Sequence, residues 1–220
     1  MTTLTAAAIS LATRLHAPDG GRRADDEAAR ELKGAARAFA LRWPGALSGA
    51  PTVTSDGALA LQMTSAAALV DAMLSLAASL RDDRPTFCGA VVRLQRPAEA
   101  VEMRLVAQSD AFERALAGLP ESDPRGPRVV MLLPDPDPVL GALLDLLLSA
   151  HDEMTARQRQ VVSLVRESET QQAVARHLNV SRQAVNQSLA AAGWPLLLHA
   201  ESVVRARLER AAGKTPLAEL

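Results

Sequence analysis

The chain has 220 residues, a formal net charge of −1, 48% apolar residues, only 2% aromatic residues and no Tyr; a core of useful size fits this length, and Ala, Leu and Val must build it, which favours helix-rich packing. A charged fraction of 22% this close to neutrality excludes a disordered chain, and the single cysteine, Cys88, excludes a disulfide framework and a multi-cysteine zinc site. No apolar run is long enough for a membrane span and no secretion signal is legible, so a soluble cytoplasmic protein is expected.

Leu4 to Leu15 is apolar and short enough for a strand. Asp25 to Leu41 has helical spacing, with Ala28, Leu32, Ala35, Ala36 and Phe39 on one face and Pro44-Gly45 as the stop. Pro51 to Met63 reads as a hairpin: Thr52, Val53 and Thr54 are β-branched, Asp56-Gly57 is a turn dipeptide, and Leu59 and Leu61 alternate. Ser65 caps a helix running to Leu80. Thr86 to Leu94 reads as a buried strand, Ser109 to Leu119 as a short helix, and Arg128 to Leu133 as a further strand. This order, β-α-β-β-α-β followed by a small helix and a strand, predicts an α+β sandwich of the ferredoxin-like kind over residues 1–137.

Pro134-Asp135-Pro136-Asp137-Pro138 is expected to be a stiff, non-helical turn. From there residues 138–220 read as an all-α module. Leu140, Leu143, Leu144, Leu147 and Leu148 give Val139 to Ala150 a helical stripe, which packs on the body or pairs with a second copy. Thr155-Ala156-Arg157-Gln158 fits a capping box, followed by apolar Val161, Val162, Leu164 and Val165. Thr170 caps a short helix through Leu178. Asn179 tolerates the left-handed backbone of a tight turn, and Ser181 caps the next helix. Gly193 ends it. A last helix, Leu196 to Ala211, carries a stripe of Leu197, Val204, Leu208 and Ala211, expected to pack beneath the preceding helices.

Capped short helices around an Asn turn are what a helix-turn-helix needs. Ala173 is small enough for a helix crossing, and Val174, Leu178, Val180, Val185 and Leu189 supply a small core. The outward positions of the third helix are Arg182, Gln183, Asn186 and Gln187. Arg pairs with guanine, and Asn and Gln pair with adenine, so these four are the expected base readers. Thr170, Gln171 and Ser181 are the expected phosphate contacts, with Arg157 and Arg159 as helpers. Residues 155–200 hold five Arg against two Glu, a net of +3, on a body whose net is −4. That charge is small for one module, and a homodimer reading two half-sites would compensate. The competing readings are a three-helix cluster that only packs or binds protein, and a body that senses a small molecule or nucleotide.

The segments Thr155–Val162, Thr170–Ala175, Asn179–Val185 and Ala191–Trp194 resemble the C-terminal module of SatD-like bacterial proteins, whose relatives are often labelled MarR-family regulators. The same helix-turn-helix resembles region four of sigma factors. The resemblance implies a nucleotide-cyclase-like, ferredoxin-type body with an acidic hairpin motif. Here that hairpin reads Thr54-Ser55-Asp56-Gly57-Ala58-Leu59, and the first strand, Ala8 to Ala12, lacks the acid of the family pattern. A two-metal phosphoryl-transfer site needs paired carboxylates, so the body reads as degenerate, without enzyme activity. The body is then expected to serve dimerisation or ligand sensing, with a vestigial nucleotide sensor acting through Asp56 as the alternative.

Other chemistry finds little support in the sequence. Cys88 reads as a buried thiol. His16, His151, His177 and His199 lack metal-ligand spacing, and no cofactor or metal is expected. Gly20-Gly21-Arg22-Arg23 and Asp82-Asp83 read as loops, and Met63, Met73, Met103, Met131 and Met154 as core filler.

Overall fold

The computed structural model describes residues 7–16, 25–80, 84–93, 101–121, 126–166 and 170–213. Residues 4–6 of the expected first strand, Gly20–Arg23, Asp82-Asp83 and Lys214 lie outside them, as does the side chain of Met103. The elements run β1 (Ala7–Arg14), α1 (Asp26–Arg42), β2 (Thr52–Val53), β3 (Ala58–Met63), α2 (Ala66–Ser79), β4 (Thr86–Arg93), α3 (Val101–Ala117), β5 (Val129–Leu132), α4 (Pro138–Glu153), α5 (Ala156–Arg166), α6 (Gln171–His177), α7 (Arg182–Ala191) and α8 (Trp194–Ala211). The fold is α+β. Two compact units result: residues 1–145 with 204–220, and residues 146–203.

Local chemistry sets the boundaries in the first unit. Asp25 and Ser65 cap α1 and α2, their side-chain oxygens accepting from the Ala28 and Ala68 amides. Such a cap offsets one of the amides left open at a helix start, a contribution of about 1 kcal/mol. The expected face of α1 is the buried one. Between β2 and β3, the Thr54 amide donates to Ala58 and the Gly57 amide to Thr54, at 2.8 and 3.1 Å. Gly57 has a φ of +78° there, a conformation that costs glycine least.

The sheet order is β2-β3-β1-β4-β5. The first four strands are antiparallel neighbours, and β5 joins β4 in parallel. Ala8, Ala12, Cys88 and Ala90 line one face and meet Ala107, Ala111 and Ala115 of α3. Small side chains on both partners let this helix approach closely. Alternation sends Ile9, Leu11 and Leu15 to the opposite face, where α1 and α2 pack. Cys88 is fully buried, and burial pushes its thiol up to about 12.

Two boundaries differ from the sequence reading. Helix α3 begins at Val101, eight residues before the expected Ser109. Helix α4 includes Pro138, which the sequence reading placed in the non-helical turn. Proline lacks only an N–H, and the first helical position has no partner for one. The last turns of α8 are tied to the first unit. Arg205 makes a two-pronged contact with Asp71 at 2.7 and 3.1 Å, Arg207 reaches Asp137 at 2.6 Å, and Arg93 Nε donates to the Ala211 carbonyl at 2.7 Å.

Candidate nucleic-acid interface

The second unit is built on reciprocal caps. The Thr155 amide donates to Gln158 Oε1 at 2.7 Å, and the Gln158 amide donates to Thr155 Oγ1 at 3.2 Å. This is the capping box expected at the start of α5. Thr170 and Ser181 cap α6 and α7 by accepting from the Ala173 and Ala184 amides, at 3.2 and 3.1 Å. A hydroxyl that accepts in this way keeps its own proton to donate.

Between α6 and α7 the chain reverses at Asn179, whose φ is +50°. The Val180 amide then donates to the Ala175 carbonyl at 2.9 Å, closing the turn. Asn179→Ala is expected to lower the stability of this unit by about 1 kcal/mol, because alanine pays the full left-handed penalty. Asn179→Gly should be neutral or stabilising. Urea unfolding of the two variants measures both signs; equal losses would mean that the backbone conformation is not what Asn179 supplies.

Helix α7 packs against both α5 and α6. Val174, Val185 and Leu189 are buried at that junction, while Leu178 and Val180 are half-buried. Ala173, expected at the helix crossing, is half-buried; the fully buried small residue is Ala175. The reason is helical phase: Val174 points inward, and Ala175 follows it toward the turn.

Arg182, Gln183, Asn186 and Gln187 are all exposed. They occupy the first two turns of α7 and flank the stripe of buried Val185 and Leu189. Arg157 is exposed on the first turn of α5 and donates to Gln160 at 3.1 Å. Arg159 donates its guanidinium to the Met154 carbonyl, so it is already engaged beside the end of α4. Gln171 is half-buried at the start of α6, next to exposed Thr170. His177 and His199 are exposed.

The sequence reading missed Glu201. It is 2% exposed, on the buried stripe of α8 between Leu197 and Val204. Arg166 pairs with it, and His151 Nε2 lies 3.5 Å from its Oε1. The Arg166 guanidinium also stands 5.0 Å over the Trp194 ring. The signal was a single acid on an apolar stripe, which marks a buried ion pair. Burial raises the Glu201 carboxyl, but the hydrogen bond from His151 and the charge of Arg166 outweigh it, and the group lies below its ordinary range.

Asp56, the acid carried over from the family resemblance, sits in the β2–β3 turn. Its carboxylate accepts from the Thr54 hydroxyl and from the Arg14 guanidinium. Those contacts hold it below the usual carboxylate range. Among the described residues, no group of three or more His, Cys, Asp or Glu side chains is placed to hold a metal ion, and no helix is long and apolar enough to cross a membrane.

Helices α5 to α7, joined by a left-handed Asn turn and presenting one polar face, define a helix-turn-helix module. Residues 152–192 match the family model of sigma-70, region 4. That region is a DNA-binding helix-turn-helix, and this module is similar to it. No curated protein and no solved structure matches the chain.

Proposed function

We propose that the chain is a sequence-specific DNA-binding protein that regulates transcription as a homodimer in the cytoplasm of a bacterium, and that it is not an enzyme. The supporting observation is the exposed side of α7: four hydrogen-bonding side chains in solvent, beside a stripe of Val185 and Leu189 that is buried in the core. Arg182 and Gln183, at the N-terminal end of the recognition helix, enter the major groove first, and Asn186 and Gln187 follow one turn on. Thr170, Gln171 and Ser181 contact phosphates through their remaining hydrogen-bonding capacity, with Arg157 the better helper because Arg159 is engaged within the protein.

In this reading residues 138–220 bind DNA, and residues 1–137 form a ferredoxin-like body of the SatD-like type that serves dimerisation or sensing of an effector. The strand order and directions favour that body. Helix α4 is the proposed dimer seam, since Val139 and Leu146 are exposed seven residues apart on it. A dimer also doubles the modest positive charge of the module.

Selection of genomic fragments by the full-length protein at two salt concentrations tests the proposal. The expected result is enrichment of a repeated, palindromic sequence, with affinity falling steeply as salt rises. No enrichment at either salt would replace it with the protein-interaction reading.

A further inference from the structure

One row of residues crosses the sheet on the face covered by α3. Ala58 of β3, Arg14 of β1 and Thr86 of β4 are register partners, and Arg128 immediately precedes the Val129 that pairs with Phe87. Arg14 is 4% exposed and Arg128 is 9% exposed. His16 is 6% exposed, and its Nε2 lies 2.9 Å from Thr86 Oγ1. The Arg128 carbonyl accepts from the Phe87 amide at 2.7 Å, and its Nε donates to the Pro85 carbonyl at 3.4 Å. Two guanidinium groups and an imidazole are thus buried around the Pro85–Phe87 segment. Neighbouring strands lie about 4.8 Å apart, so backbones two strands apart are about 10 Å from each other. Side chains as long as arginine can meet across that gap.

Burying a cation is unfavourable unless its hydrogens are taken up. Arg14 gives one terminal nitrogen to Asp56, a half-exposed acid in the β2–β3 turn. Its Nε, also buried, has no hydrogen-bond partner. A guanidinium with an unused Nε–H offers a donor for an oxyanion, which it binds through parallel N–H···O bonds. We propose that this end of the sheet binds a phosphate group, held by Arg14 with His16 and Arg128 beside it. The group belongs either to free phosphate or to a small phosphorylated metabolite. Asp56 is then a competitor for Arg14 rather than a ligand for the anion. The inference stands apart from the DNA reading, because it concerns the first unit alone.

Calorimetric titration of the full-length protein, without DNA, tests it. Inorganic phosphate and adenosine monophosphate are the two probes, with sodium chloride at matched ionic strength as the control. Saturable binding of either probe is expected, and the tighter one identifies the source. Asp56→Asn removes the competing charge and is expected to tighten binding by about threefold. Arg14→Gln is expected to weaken it by about tenfold or more. No saturable heat from either probe, in the wild type and in Asp56→Asn, would overturn the proposal. So would binding that Arg14→Gln leaves unchanged. Should Arg14→Gln fail to fold, Asp56→Asn still decides, because binding no tighter than wild type contradicts the competition.

Discussion

The Arg182→Ala/Gln183→Ala double variant is expected to lose about a hundredfold or more in affinity for its operator while remaining folded. A good bidentate contact between side chain and base is worth about 1–3 kcal/mol, and about 1.4 kcal/mol is tenfold in affinity. Both side chains are exposed, and neither caps α7, a role that belongs to Ser181. Exposed substitutions away from such features usually change stability by less than about 0.5 kcal/mol, so the melting transition should not move. Binding to scrambled DNA should fall much less, because the variant removes a single positive charge and the salt slope can change by only about one. Titrations of operator and scrambled duplexes at two salt concentrations separate these effects. An operator-to-scrambled ratio unchanged by the double substitution would exclude this face of α7 as the base reader.

What the sequence made legible was local. Ser65, Thr155 with Gln158, Thr170 and Ser181 cap the helices expected of them, because a cap depends on residues three positions apart. Asn179 was readable for the same reason: one side chain and one backbone angle decide it. The four outward residues of α7 followed from helical periodicity. The start of α3 was not readable. Its buried face is Ala107, Ala111 and Ala115, while Leu105 and Val106 are exposed. Alanines packed on the alanines of β1 and β4 give almost no hydrophobic contrast along the sequence, so the pattern starts too late. Arg14 and Arg128 come from segments more than a hundred residues apart, and only strand pairing brings them into one row. Asp56 was chosen by resemblance, and its partner lies 42 residues away.

Glu201 carries the largest expected effect on stability. Glu201→Ala leaves the half-buried Arg166 guanidinium without this carboxylate, a loss of about 3 kcal/mol. Replacing both partners with apolar residues, as Glu201→Leu/Arg166→Met, should cost much less, because no uncompensated charge remains. A smaller loss in Glu201→Ala than in the double variant would contradict the role of the pair. The effect also has a definite pH sign. An unfolded Glu201 protonates near 4.5, and the folded group is held below that. A depressed pKa contributes stability that is fully present above the unfolded value and is lost as pH falls through the folded one. The wild type should therefore destabilise as the medium is acidified below about pH 4.5. Glu201→Gln, which does not titrate, should remove this residue's share of that slope. Its stability at neutral pH should be lower throughout. Urea unfolding at neutral and acidic pH measures both, and a Glu201→Gln curve parallel to wild type across the acid range would refute the assignment. Because α8 carries Glu201 while Arg166 ends α5, the pair joins the last helix to the helix that supports α7. Loss of the pair should therefore weaken operator binding through the fold, with recovery at low temperature, whereas loss of Arg182 and Gln183 should persist at every temperature.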